Sequence, residues 1–417
     1  MSRTHVIRGA LLAGATGALV ACNSDTHVTA LKTNNSIFQS YVAIGNSITA
    51  GFQSGGINDS TQKQSYAYLL AQKMGTRYAY PSLVMPGCPP PISNLLTQAR
   101  VGGATSTAGT CNLRSPASIG ASLNNVAVPG ITSFEPTQSI GNATSAALEE
   151  LILGGKTQVL KALDAKPTFV TVWIGNNDIL SPALSGFPNG QGGTAPGAGG
   201  PATTVVNFQA NYSKMINQLV AGAPGVKGVL IAVVQVTNVP LVFQAGVLAN
   251  PAVAPAAQAV AGRPVVLDPI TCAGANAGAL VNFQYIAAIA ARPAGFPGTV
   301  YCQKVLGGGP SDPGDNGILD LTEQATVTTL INGYNSYIKA KADSIGFAYY
   351  DPNTTLGTLK ANGSIPAFPN VGSATAPFGQ YFSFDGVHPT AAAHILLAND
   401  LITVINAKFG TTLSAAP

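Results

Sequence analysis

Acyl transfer through a hydroxyl needs a base beside it, and in proteins that base is most often histidine. The 417-residue sequence holds four histidines. His5 and His27 precede any segment patterned like a folded core, which leaves His388 and His394. His394 lies inside Ala391-Ala-Ala-His-Ile-Leu-Leu397, a helix interior, where a packing or surface role is expected. His388 lies in the loop Ser383-Phe-Asp-Gly-Val-His-Pro-Thr390 just before that helix, with Asp385 three residues earlier. A carboxylate on one ring nitrogen fixes the tautomer and leaves the other nitrogen free to take a proton. Taken alone, the same loop also reads as a helix-capping turn with a surface histidine. A nucleophile candidate is Ser47 in Gly45-Asn-Ser-Ile-Thr49, directly after the apolar run at 41–44. Stabilising the oxyanion needs a backbone N–H or a side-chain amide. Gly130, after the run at 125–128, and the amides of Gly175-Asn-Asn-Asp178 could supply them.

These loops need elements that hold them. Short apolar runs at 41–44, 125–128, 168–174, 226–236 and 347–350 read as strands, and 65–74, 144–153, 205–220, 323–344 and 391–407 carry helical periodicity. Strands that are apolar throughout and alternate with helices predict a parallel sheet covered on both faces. Such sheets place their sites beyond the carboxyl ends of the strands, where the loops above fall. Residues 186–204 form a Gly/Pro/Ala loop, and 240–320, rich in Ala, Pro and Gly, read as a loop-rich insertion on the sheet's rim. Both are expected to shape the substrate pocket. With 29 prolines and long strand-to-helix spacings, the chain does not read as a membrane β-barrel.

Four segments resemble, in order, the sequence blocks of the SGNH hydrolases, also called GDSL lipases and esterases. They are Gly45-Asn-Ser-Ile-Thr49, Gly130, Gly175-Asn-Asn-Asp178 and Asp385-Gly-Val-His388. The resemblance spans roughly 40–240 and 320–410. It implies a flavodoxin-like three-layer α/β/α fold with a parallel central sheet, a catalytic triad of Ser47, His388 and Asp385, and an oxyanion hole made by the N–H groups of Ser47 and Gly130 and the amide of Asn177. It also implies a serine ester hydrolase working through an acyl-enzyme on Ser47, without cofactor or metal. One departure is visible: Asn46 stands where the family name has Asp, a position outside the triad. No G-x-S-x-G elbow occurs, against the α/β-hydrolase alternative. An acyltransferase or polysaccharide deacetylase on the same triad, and a non-catalytic envelope-binding lipoprotein, are the rival readings.

Arg3 and Arg8 precede a short apolar stretch ending in Leu19-Val-Ala-Cys22, which resembles the lipobox of bacterial lipoproteins. The resemblance implies a signal peptide over 1–21, acylation of Cys22, a polar tether over 22–38 and a hydrolase domain over 39–410. Asn23 after the cysteine implies delivery to the outer membrane. Four further cysteines, Cys88, Cys111, Cys272 and Cys302, fit an exported chain with two disulfides. Sequence-local pairs, Cys88–Cys111 and Cys272–Cys302, are expected among three possible connectivities. A net charge of +4 without a basic run implies no nucleic-acid partner, and a monomer is expected. Asp312 to Glu323 resembles a calcium loop, but Gly314 holds a ligand position, so a turn followed by a capped helix is expected instead.

Overall fold

β1 (Tyr41–Gly45) and β2 (Phe169–Trp173) are buried at every residue, as their unbroken apolar runs require. The computed structural model describes residues 35–103, 112, 122–138, 146–185, 202–290, 298–303 and 317–417. The expected signal segment, Cys22, residues 22–34 of the tether, Cys111, the Gly/Pro/Ala loop as far as 201 and residues 312–316 lie outside the described residues. The strands continue in chain order as β3 (Lys227–Ile231), β4 (Val242–Gln244), β5 (Val265–Leu267), β6 (Leu280–Asn282), β7 (Gly298–Val300), β8 (Ile318–Leu319) and β9 (Ala348–Tyr350).

The central sheet runs β1-β2-β3-β9, all parallel. Period-two alternation sorts its side chains into two layers. Tyr41, Ala43, Phe169, Trp173, Val229 and Ile231 pack against the helices Tyr66–Met74 and Ala391–Phe409. Val42, Ile44, Val170, Val172 and Leu230 pack on the opposite face with the helices Val205–Gly222 and Leu321–Ile345. The result is three layers, helices on both sides of a parallel sheet.

The expected strand at 125–128 forms a single bridge, Ala43 to Asn125, on the free side of β1. Ala43 N–H donates to Asn124 O at 2.7 Å, Val126 N–H to Ala43 O at 3.1 Å and Val128 N–H to Gly45 O at 3.2 Å. Gln158 Nε2 ties the two segments together, donating to Val126 O at 2.9 Å and to Gly45 O at 2.8 Å. Counting this extended segment, the order along the sheet is second, first, third, fourth, fifth, the flavodoxin-like arrangement.

β3 is shorter than the apolar run at 226–236. Beyond it, Val233 N–H donates to Asn335 Oδ1 at 2.7 Å, Val234 N–H to Asn176 Oδ1 at 3.0 Å and Gln235 N–H to Asn353 Oδ1 at 2.7 Å. Side-chain amides replace a neighbouring strand, and the chain turns away as a 3-10 turn, Val236–Asn238.

The insertion is more ordered than its Ala/Pro/Gly content predicts. β4, β6 and β8 form an antiparallel sheet, β5 pairs with β7, and the helices Ala254–Ala261 and Phe283–Ile289 pack between them. Strands of two or three residues show no period, so composition alone reads them as loop. Phe243, Phe283 and Ile286 belong to the same buried cluster as Val42 and Ile44, and the insertion shares the main core. The expected disulfide Cys272–Cys302 is present. Cys88 is also disulfide-bonded, while its expected partner Cys111 lies outside the described residues.

Packed structure extends past both expected domain limits, 39 and 410. Asn35 caps the short 3-10 helix Ser36–Phe38, and the buried Phe38 ring meets Phe169 at 5.1 Å. At the other end Ala416 N–H donates to Asn399 Oδ1 at 2.7 Å. In the acidic segment, Asp320 caps the helix Leu321–Ile345 in a reciprocal box. Glu323 N–H donates to Asp320 Oδ1 at 2.8 Å, and Asp320 N–H to Glu323 Oε2 at 2.9 Å.

Candidate active site

β1 ends at Gly45, and the chain turns at once into the short helix Ser47–Ala50. A side chain at Gly45 would meet Thr49 Oγ1 at 2.1 Å, so only glycine lets the helix close back on its strand. Asn46 caps that helix, its Oδ1 accepting from Ile48 N–H at 3.4 Å. Ser47 therefore stands at the sheet's carboxyl edge, mostly buried.

The last expected block comes back to this edge. His388 Nε2 lies 2.9 Å from Ser47 Oγ, and His388 Nδ1 lies 2.8 Å from Asp385 Oδ2. An ionised carboxylate can only accept, so Nδ1 carries the proton and Nε2 faces the serine hydroxyl as acceptor. Asp385 also accepts from the N–H groups of Gly55 at 2.6 Å, Val387 at 2.9 Å and His388 at 2.8 Å. Burial pushes its pKa up, but the charge of His388 and these hydrogen bonds outweigh burial and hold it at about 2.

The two middle blocks meet one another beside Ser47. The chain leaves β2 through Gly175, whose φ of +121° and proximity to Val233 Cγ2 (2.6 Å from an added Cβ) exclude a side chain. Asn177 opens the helix Asn177–Ser185, and its Nδ2 donates to Ile131 O at 2.9 Å, one residue past Gly130. The second hydrogen of that amide, the Ser47 N–H and the Gly130 N–H make no hydrogen bond among the described residues. Asp178 is wholly buried and accepts from Ser133 N–H at 2.7 Å and Ser133 Oγ at 2.5 Å. Burial raises its pKa to about 7, more than the Ser133 hydrogen bonds lower it.

Ser47, Asn177 and His388 line one cavity that opens to solvent. Its other walls are Trp173, Val236 and Val239 after β3, Leu356 and Leu359 of the helix Asn353–Ala361, and Leu396 and Leu397. The insertion, expected to shape this pocket, contributes no wall residue among the described residues, because its own sheets cover a different part of the core. The wall comes instead from the helix after β9, a segment that none of the expected elements covers.

His394 is buried, its Nδ1 accepts from Tyr66 N–H at 3.1 Å, and burial lowers its pKa to about 3. It is therefore a neutral acceptor that stops one end of the helix Tyr66–Met74. Two residues beside the triad carry no sequence signal that singles them out: Phe52, whose ring centre lies 4.8 Å from that of His388, and Gly55, which donates to Asp385. Gly55 and Asp385 are 330 positions apart, and no local pattern announces such a contact.

The chain is a hydrolase acting on esters, as the family it matches shows. The chain belongs to the GDSL-like lipase/acylhydrolase family, which it matches over residues 41–401. A solved structure, that of an extracellular lipase from Streptomyces rimosus, aligns with 89% of this chain and 99% of its own at 14% identity, with a TM-score of 0.36. No curated protein gives a match.

Proposed function

We propose that this hydrolase cleaves carboxylic esters in two steps through an acyl-enzyme on Ser47. The observation that carries the reading is the unbroken chain Asp385 Oδ2, His388 Nδ1, His388 Nε2, Ser47 Oγ, with links of 2.8 and 2.9 Å. His388 takes the serine proton as the hydroxyl attacks the ester carbonyl. The oxyanion is received by the N–H groups of Ser47 and Gly130 and the free hydrogen of Asn177 Nδ2. The proton passes to the leaving alcohol, and a water activated by His388 then releases the acid. Asp385 stays ionised throughout and holds the ring.

The substrate carries an acyl chain rather than an acetyl group on a glycan, a reading supported by the leucine and valine walls of the cavity. Such walls suit the acyl part, which stays covalently held while the alcohol leaves and water enters by the mouth. The protein acts in the cell envelope, tethered through an acylated Cys22; the support is the lipobox-like Leu19-Val-Ala-Cys22.

Ser47→Ala tests the first proposal on p-nitrophenyl esters. The rate is expected to fall by about 10⁶ while the protein stays folded. Activity within about tenfold of wild type removes Ser47 from the mechanism. Mass spectrometry of the mature N-terminus tests the second. A diacylated or triacylated Cys22 is the expected result, and an unmodified N-terminus refutes the anchor.

A further inference from the structure

We infer that Asp178 is a positioning residue that sets the Gly130 loop for oxyanion binding, acting through Ser133. The inference rests on the reading of Gly130 and Asn177 as oxyanion donors and deepens it. Gly130 is useful only if its N–H holds one direction, and no strand runs through it to hold it there. The 131–133 segment is instead gripped from the start of one helix by two successive side chains. Asn177 Nδ2 donates to Ile131 O at 2.9 Å. Asp178 spreads its two oxygens over the next contact: Oδ2 accepts the Ser133 N–H at 2.7 Å and Oδ1 the Ser133 hydroxyl at 2.5 Å.

The same helix turn thus supplies one oxyanion donor from its side chain and orients the other through the neighbouring loop. A carboxylate suits this task because it offers an acceptor to both a backbone N–H and a hydroxyl. An Asn at 178 could make both contacts, the second with reversed polarity: its Oδ1 accepts the Ser133 N–H, and its Nδ2 donates to Ser133 Oγ. An Ala could make neither. Asp178 itself is shut away from the cavity, which is why its role is positional.

The test uses the whole chain and three readouts: kcat and KM on a p-nitrophenyl ester, the inhibition constant of butylboronic acid, and the melting temperature. Butylboronic acid forms a tetrahedral adduct with a serine hydroxyl and so depends on the oxyanion donors. Asp178→Ala is expected to lower kcat about ten- to hundredfold with KM unchanged, and to weaken the boronate by the same factor. Asp178→Asn is expected to stay within about threefold of wild type in both. If Asp178→Ala does not fold, Ser133→Ala takes its place, with an expected loss of about tenfold. Wild-type kcat and boronate affinity in the folded Asp178→Ala or Ser133→Ala protein, even at a lowered melting temperature, overturn the inference and leave a purely stabilising contact. Full activity of Ser47→Ala would instead overturn the reading beneath it, so the two failures are told apart.

Discussion

Asp385 and Asp178 stand behind the two halves of one site, and they ionise in opposite ways. Both are largely removed from water, with the Asp385 side chain 14% exposed and Asp178 closed off entirely. Burial pushes both carboxyls up. Asp385 meets an imidazole able to carry charge and several N–H donors, and falls to about 2. Asp178 meets only neutral donors, those of Ser133 foremost, with the charge of Glu135 opposing ionisation, and burial raises it to about 7. Burial sets the cost of a charge, and the partner's own charge decides whether that cost is met. One half of the candidate site holds an ionised carboxylate against the His388 ring. The other holds a carboxyl whose task is hydrogen bonding, which a neutral amide can take over.

The sharpest break of this comparison is Asp385→Ala. Its kcat is expected to fall by about 10⁴, less than the roughly 10⁶ for His388→Ala, since the ring keeps its basic nitrogen but loses its orientation. His388→Ala and Ser47→Ala should not add when combined, because they remove one unit. Steady-state kinetics on the single and double variants check this.

Stability against pH separates the two acids next. The folded pKa of Asp385 lies below the ordinary 3.8, so its contribution is present above that value and is lost as pH falls through about 2. The folded pKa of Asp178 lies above 3.8, so stability falls as pH rises from about 4 to 7. That cost is on the order of 4 kcal/mol when complete. Asp178→Asn should therefore match wild type near pH 4 and exceed it at pH 8. Thermal unfolding across that range reads the difference. A constant offset between the two proteins would mean that Asp178 does not titrate there.

Smaller effects sit beside His388. Phe52→Ala removes the ring packed on the imidazole and is expected to lower kcat about tenfold, with the folded state retained. His394→Ala should leave kcat within about threefold of wild type while lowering the melting temperature, because the buried Tyr66 N–H loses its acceptor at a cost of about 1–3 kcal/mol. A dead His394→Ala enzyme would make His394 the base and leave His388 a structural residue.

Scarcity made half of the site readable. With two of the four histidines set aside near the start of the sequence, and one of the others inside a helical pattern, the Asp385-x-x-His388 turn had little competition. Three residues of separation place a carboxylate beside a ring within one turn, so that contact is local and needs no fold. The Ser47 loop was readable for another reason: an apolar strand followed by glycine and a capping asparagine has a defined exit. Helix ends followed the same local logic, as at Ser65 and Gly75, and at Asp320 with Glu323.

What the residues could not announce is any contact whose partner lies far along the chain. The period of the hydrophobic pattern determined the parallel sheet and its two covering layers. It also determined which loops emerge at the carboxyl edge. Only the tertiary structure decided that 125–128 would pair with β1 as a single bridge, with Gln158 reaching across to Val126 O and Gly45 O. It decided that Asn176, Asn335 and Asn353 would take the N–H groups beyond β3 and leave Val234 and Val236 as cavity wall. It made ordered sheets of an Ala- and Pro-rich insertion whose strands are too short to show a period. It gave Asp178 the Ser133 loop to hold. Propensity and periodicity act over a few residues, whereas a buried polar group takes whatever partner the packed chain brings within hydrogen-bond distance.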